Sequence, residues 1–178
     1  MLCYGAKDLA RAFRTVRKNT LQIAEEIPED KYTHAAASGT RTVAQLLTHI
    51  ALTSRFPLAV HREKRTTLEG FDFPGLVGRI AAEEQKVSGK RDIIALLKRE
   101  GEDFAAWLEG LSDDFLCERV TQAPGMDPAS KTRFEMIMGT KEHEMHHRGQ
   151  LMLIERQLGI VPHLTRQMQE RVAARSAS

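Results

Sequence analysis

The chain has 178 residues, of which 26 are basic and 24 acidic, and the net charge is +2. This length suits a single domain over residues 1–178 that buries its own core, and the balanced charge gives no reason to expect nucleic acid. No apolar run approaches the ~20 residues that span a bilayer, no signal-peptide pattern occurs, and the two cysteines, Cys3 and Cys117, form no disulfide framework. We therefore expect a soluble cytoplasmic protein with no membrane or nucleic-acid partner.

Apolar residues recur at helical spacing in the first third of the chain. A stripe through Leu9, Phe13, Val16 and Ile23 predicts a first helix over residues 7–27. Thr42 begins a capping box with Gln45, so a second helix is expected to follow, through about residue 65. Pro57 lies inside this second pattern and predicts a kink or a break.

The rest of the chain continues the helical pattern. Residues 66–87 contain three glycines and a proline and predict a long connection with one short helix. A third helix is expected over residues 88–110, and residues 119–121 could pair briefly as a strand. Thr132 begins a second capping box, with Glu135, and starts the fourth helix. A short extra helix after Pro162 should end in a frayed tail. The predicted fold is an all-α four-helix bundle with its core over residues 7–160 and an extension over 161–178.

The fourth helix contains "KEHEMHHRGQL", residues 141–151, with three histidines. At ~100° per residue, His143 lies within about 40° of His147 on the apolar stripe, while His146 lies about 100° away on its flank. Side chains at i and i+4 can converge on one ion. His143 and His147 are therefore the predicted ligand pair of this helix.

A third ligand is expected from the second helix. His49 lies on its apolar stripe with Leu46 and Thr53, and a buried imidazole is costly unless its nitrogens are satisfied. The alternative is a lone core histidine bonded to a backbone carbonyl. By contrast, we expect solvated positions for three other histidines, which are His34, His61 and His163.

Three imidazoles leave a metal site open for water or substrate. Such a site accepts zinc or nickel, and also iron, manganese or copper. Two kinds of chemistry are then possible: attack by water on a carbonyl or phosphoryl centre, or attack by a thiol on an electrophile.

The segment "TVAQLLTHI", followed about ninety residues later by "HEMHHRGQL", resembles the DinB-like superfamily of bacterial metal-binding helical bundles. This superfamily includes YfiT-like proteins and thiol-dependent S-transferases. The resemblance covers about residues 7–160. It implies a divalent metal held by His49, His143 and His147, an active site at that metal, and a homodimer. For Arg148, which follows the last of these histidines, we expect a structural or interface salt bridge.

The same stretch matches the zinc-protease motif HExxH through His143-Glu144-Met145-His146. The extended form of that motif needs a third histidine at position 153, where this chain has Leu153. We expect no sheet edge for a peptide, which makes a protease the weaker alternative. Glu144 lies about 60° from the stripe and is the candidate catalytic residue, although a solvated charge on the helix flank is the preferred interpretation.

The leading hypothesis is a divalent-metal enzyme that transfers a low-molecular-weight thiol to a small-molecule electrophile. A metal-dependent hydrolase is the first alternative. A non-catalytic, stress-associated metal-binding module is the second.

Overall fold

A computed structural model describes residues 4–176, so Cys3 lies outside the described part of the chain. The predicted all-α fold is confirmed. The helices are α1 (Ala6–Glu26), α2 (Val43–Leu52), α3 (Arg55–His61), α4 (Phe73–Glu84), α5 (Lys90–Glu109), α6 (Asp113–Cys117), α7 (Arg133–Gln157) and α8 (His163–Ser176), with a 3-10 turn at Glu29–Lys31. Two short strands, β1 (Arg119–Thr121) and β2 (Ser130–Thr132), pair antiparallel. The strand expected at residues 119–121 is therefore present.

The bundle consists of α1, α2, α5 and α7. Helix α1 packs on α5 and α7, and α2 packs on α5, α7 and α4. The connection predicted over residues 66–87 contains the short helix α4, which lies along α2. This placement brings the end of α4 close to the middle of α2.

Both predicted capping boxes are present. The Thr42 hydroxyl accepts from the backbone N–H of Gln45, whose side chain accepts from the backbone N–H of Thr42. Thr132 and Glu135 make the same reciprocal pair at the start of α7. Each box satisfies backbone donors that a helix start leaves unpaired, and the two boxes begin the two helices that contain the predicted ligands.

The predicted second helix is divided into α2 and α3 at Thr53 and Ser54. Pro57 lies in the first turn of α3. Proline has no N–H to donate to the carbonyl four residues earlier, which belongs to Thr53, and its ring clashes with that carbonyl. The expected break is therefore confirmed, one helical turn before the proline.

Two apolar clusters form the core, with a polar layer between them. One cluster surrounds Ile27, and the other surrounds Phe13. Between them, the buried guanidinium of Arg17 on α1 bonds to the carboxylate of Glu144 on α7, with its Nη2 2.9 Å from Oε2. Gly101 on α5 leaves room for this arginine, since a Cβ there would lie 2.9 Å from its Cγ.

The C-terminal segment is more ordered than expected. Helix α8 continues to Ser176, so the predicted frayed tail is helical up to that residue. Within residues 4–176, no helix combines the length and apolar character needed to cross a membrane.

Candidate metal centre

Three histidines from two helices converge beside the polar layer. His49 comes from α2, and His143 and His147 come from successive turns of α7. The Nε2 atom of His143 lies 3.0 Å from Nε2 of His49 and 3.0 Å from Nε2 of His147. All three ligand atoms lie within 4.8 Å of one another, so the cluster could hold a metal ion.

Two further side chains orient the outer nitrogens of these rings. The Nδ1 atom of His49 lies 2.8 Å from Oε1 of Glu84 at the end of α4. The Nδ1 atom of His147 lies 2.8 Å from Oε1 of Gln150 on α7. Both partners are acceptors, so each Nδ1 donates, and each neutral ring presents a lone pair at Nε2. Acceptors of this kind commonly set the tautomer of metal-binding histidines.

The donor set fits a cation. The lone pairs of His49 and His147 both point at Nε2 of His143, which can carry one proton and so can satisfy only one of them. A cation at the centre of the cluster satisfies all three nitrogens together. Binding of a metal ion therefore satisfies the three Nε2 atoms better than hydrogen bonds among the three rings can.

The surroundings of His143 and His147 favour the neutral form of both rings. Burial, then the charges of His147 and His49, lower the pKa of His143 to about 4. Burial also lowers the pKa of His147, against the opposing effect of its hydrogen bond to Gln150. Both shifts favour the neutral imidazole, which is the form that binds metal.

Two cavities adjoin the cluster. One, of about 650 Å³, is lined by His147 and Gln150 together with apolar side chains that include Leu46 and Leu153. The other, also of about 650 Å³, lies against Glu84. Both extend to the loop that precedes α2. A small molecule in the first cavity would lie next to His147, and one in the second would lie next to Glu84, the partner of His49.

Glu144 is buried, contrary to the solvated flank position preferred from the sequence. Its side chain is 2% exposed, and both carboxylate oxygens accept from Arg17. The stripe drawn from apolar residues alone missed this position, because the buried face of α7 also includes charged side chains, among which Glu144 is paired with Arg17. Arg17 was missed for the same reason, because its buried partner, Glu144, lies on a different helix.

His146 lies on the exposed flank of α7, as expected, with its Nε2 3.4 Å from the amide nitrogen of Gln150. Arg148 is half-buried. Among residues 4–176 it makes no ion pair within the chain, so the structural salt bridge expected for it is not found there.

Two histidines expected in solvent are buried instead. His61 is 1% exposed, and its Nδ1 lies 3.0 Å from Nη1 of Arg133, itself fully buried. His163 is 1% exposed, and its Nε2 lies 3.3 Å from the side-chain oxygen of Asn19. Each of these two histidines has its partner in a distant segment of the chain, which spacing along the sequence does not reveal. His34 is partly exposed.

The fold and the cluster define a helical-bundle protein with a three-histidine centre in which a metal ion could bind. Residues 12–151 match the family model of the DinB superfamily, and the chain belongs to that superfamily. The resemblance inferred from the two histidine-containing segments is thereby confirmed.

Relatives and solved structures agree with this assignment. The uncharacterized protein YjoA of Bacillus subtilis (strain 168) is 28% identical over 149 residues, covering 83% of this chain and 86% of YjoA. Its crystal structure has a TM-score of 0.62 at 22% identity and covers 85% of this chain and 92% of that one. A DinB-like protein from Bacillus cereus ATCC 10987 has a TM-score of 0.66 at 16% identity and covers 90% and 97%. These structures show the shared fold.

The exclusion of nucleic acid was wrong. The colibactin self-resistance protein ClbS has this fold, with a TM-score of 0.63 at 21% identity over 88% of this chain and 98% of ClbS, and its crystal structure contains double-stranded DNA. Net charge sums over the whole surface, whereas a nucleic-acid contact depends on where the basic groups lie. A balanced charge therefore excludes no such partner. The homodimer, the small-molecule substrate and the cytoplasmic location stay predictions.

Proposed function

We propose that this protein is a metal-dependent thiol S-transferase whose centre is His49, His143 and His147. The observation that supports it is the convergence of three Nε2 atoms, with Glu84 and Gln150 on the outer nitrogens. Zinc and nickel suit an all-imidazole set best. A divalent ion in such a site lowers the pKa of a bound thiol or water and leaves a position open for it.

The chain's own residues have separate roles in this proposal. Glu84 and Gln150 keep the Nδ1 protons in place, so that the inward nitrogens stay available as ligands. Leu46 and Leu153 give the cavity an apolar side against which the electrophile would lie. The thiol sulfur then forms a bond to the electrophilic carbon, the leaving group departs with its electron pair, and the thiol proton goes to solvent.

Thiol transfer fits the surroundings better than hydrolysis does. Activation of water commonly uses a carboxylate as general base, and Glu144 is the candidate for that role. Its oxygens are both engaged by Arg17, and the Glu84 carboxylate is engaged by His49. A hydrolase that uses a carboxylate base would need one of these pairs to open, whereas a thiol whose pKa is lowered by a bound ion would lose its proton to solvent without a protein base. Hydrolysis is the second candidate, with Glu144 as its base.

Metal content is the first test. Purified protein incubated with zinc and desalted should contain about one equivalent, and His143→Ala should lose it. His146→Ala is the matched control, because His146 lies on the same helix outside the cluster, and it should keep the parent stoichiometry. Equal metal content in the parent and in His143→Ala would refute the metal centre.

Activity is the second test. Zinc-loaded protein should accelerate the conjugation of a thiol to monochlorobimane, and His143→Ala should not. Hydrolysis of a nitrophenyl ester without added thiol would instead favour the hydrolase. Stoichiometric metal with neither activity would favour the non-catalytic binding module.

A further inference from the structure

The loop before α2 contributes residues to two cavities, one of which is lined by His147. Gly39, Thr40 and Arg41 line the cavity that contains His147 and Gln150. The same three residues line the cavity next to Glu84. A molecule in the first cavity therefore meets both His147 and Arg41, and a molecule in the second meets Arg41 and Glu84, the partner of His49.

The loop is held in place by hydrogen bonds at both ends. The backbone N–H of Val43 donates to the carbonyl of His34 at 2.9 Å, and Ala35 forms an isolated bridge with Thr42. At the tip, the Thr40 hydroxyl donates to the carbonyl of Ala37 at 2.8 Å. Arg41 therefore extends from a fixed backbone, directly before the capping residue of α2.

The guanidinium of Arg41 is free to bind a ligand. It is exposed, and within residues 4–176 it makes no hydrogen bond or ion pair. The nearby Glu84 is already engaged by His49. Arg41 lines the same cavity as His147, so a ligand in that cavity can contact both side chains. A positive charge that faces two cavities with no anion of its own favours a negatively charged ligand.

We propose that Arg41 binds the carboxylate of an anionic thiol substrate and thereby holds its sulfur at the three-histidine centre. The guanidinium can accept a carboxylate with two parallel hydrogen bonds, which sets direction as well as affinity. This inference rests on the proposed thiol-transfer function and names the class of thiol that the site selects. A neutral thiol of equal length would lack this contact.

Two thiols of matched length test the inference by calorimetry with zinc-loaded protein. The parent should bind 3-mercaptopropionate about tenfold more tightly than 3-mercapto-1-propanol, as expected for a hydrogen bond to a charged group. Arg41→Gln should bind the neutral thiol as the parent does and should lose the preference for the acid. Arg62→Gln is the matched control, because Arg62 is an exposed arginine that lines a different cavity; it should keep the preference.

Two outcomes would overturn the inference: equal affinity of the parent for both thiols, or an unchanged preference in Arg41→Gln. Failure of the parent to bind zinc would overturn the proposed function instead. In that case, the binding of a carboxylate by Arg41 is tested on metal-free protein through the NMR signal of the Arg41 Nε–H group. A shift with excess 3-mercaptopropionate that is absent with the alcohol supports the site, and an unmoved signal overturns it.

Discussion

Gly101 lies in the middle of α5, where alanine ordinarily stabilises a helix by up to ~1 kcal/mol relative to glycine. In this protein a Cβ at that position would lie 2.9 Å from both Cγ and Nη1 of Arg17. The arginine cannot easily move aside, because Nη1 donates to the carbonyl of Leu97 at 2.7 Å and Nε and Nη2 bind Glu144. We therefore expect Gly101→Ala to destabilise the fold.

The magnitude follows from two opposing effects. Overpacking of a core costs roughly 1–3 kcal/mol, and separation of a buried ion pair costs about 3–5 kcal/mol if one charge is left alone. A partial shift of Arg17 therefore outweighs the gain of up to ~1 kcal/mol in helix propensity. The expected net loss in the free energy of unfolding is about 1–3 kcal/mol.

Urea denaturation monitored by circular dichroism measures this loss. Gly78→Ala is the matched control, because Gly78 is an exposed helical glycine in α4 with no atom within 4 Å of the position a Cβ would take. That variant should gain about 0.5–1 kcal/mol. If Gly101→Ala stabilised the protein as much as Gly78→Ala, the close packing of Arg17 against α5 would be refuted.

Three further substitutions test the site and the core. Glu84→Gln should weaken zinc binding about 10–100-fold in competition with a chromophoric chelator, whereas Glu83→Gln should not; equal affinities would contradict a ligand-orienting role. Burial raises the pKa of Glu155 from 4.5 to about 7, so the stability due to this shift is fully present below pH 4.5 and is lost as the pH rises through 7. Glu155→Gln should therefore gain stability relative to the parent over that range, by up to about 3 kcal/mol in urea titrations; a difference independent of pH would contradict this expectation. Arg17→Met should cost about 3–5 kcal/mol, and added Glu144→Leu should recover much of it; a double variant no more stable than the single one would argue against the pair.

Local sequence signals predicted much of the architecture. The capping boxes at Thr42 and Thr132 marked the starts of α2 and α7, and Pro57 marked the division between α2 and α3. These features depend on residues within a turn or two of one another, where backbone chemistry acts directly. The choice of His143 and His147 over His146 followed from helical spacing in the same way.

Residues that act through distant partners could not be found by such signals. Glu84 reaches His49 from a different helix, and no spacing relates the two. The buried pair of Arg17 and Glu144 is 127 residues apart in sequence, and each member alone has the composition of a surface charge. The close approach of Arg17 to Gly101 likewise joins two helices, and no local pattern in α5 indicates it.

The sequence by itself thus determined the main helices, the capping boxes and the three histidines on apolar stripes. Helical periodicity relates residues that are close in sequence, so it can be recognised without the tertiary structure. The tertiary structure alone decided which charged groups enter the core and which side chains surround the cluster. Those outcomes depend on pairing between segments far apart in the chain, and a buried charge is tolerated only where such a partner meets it.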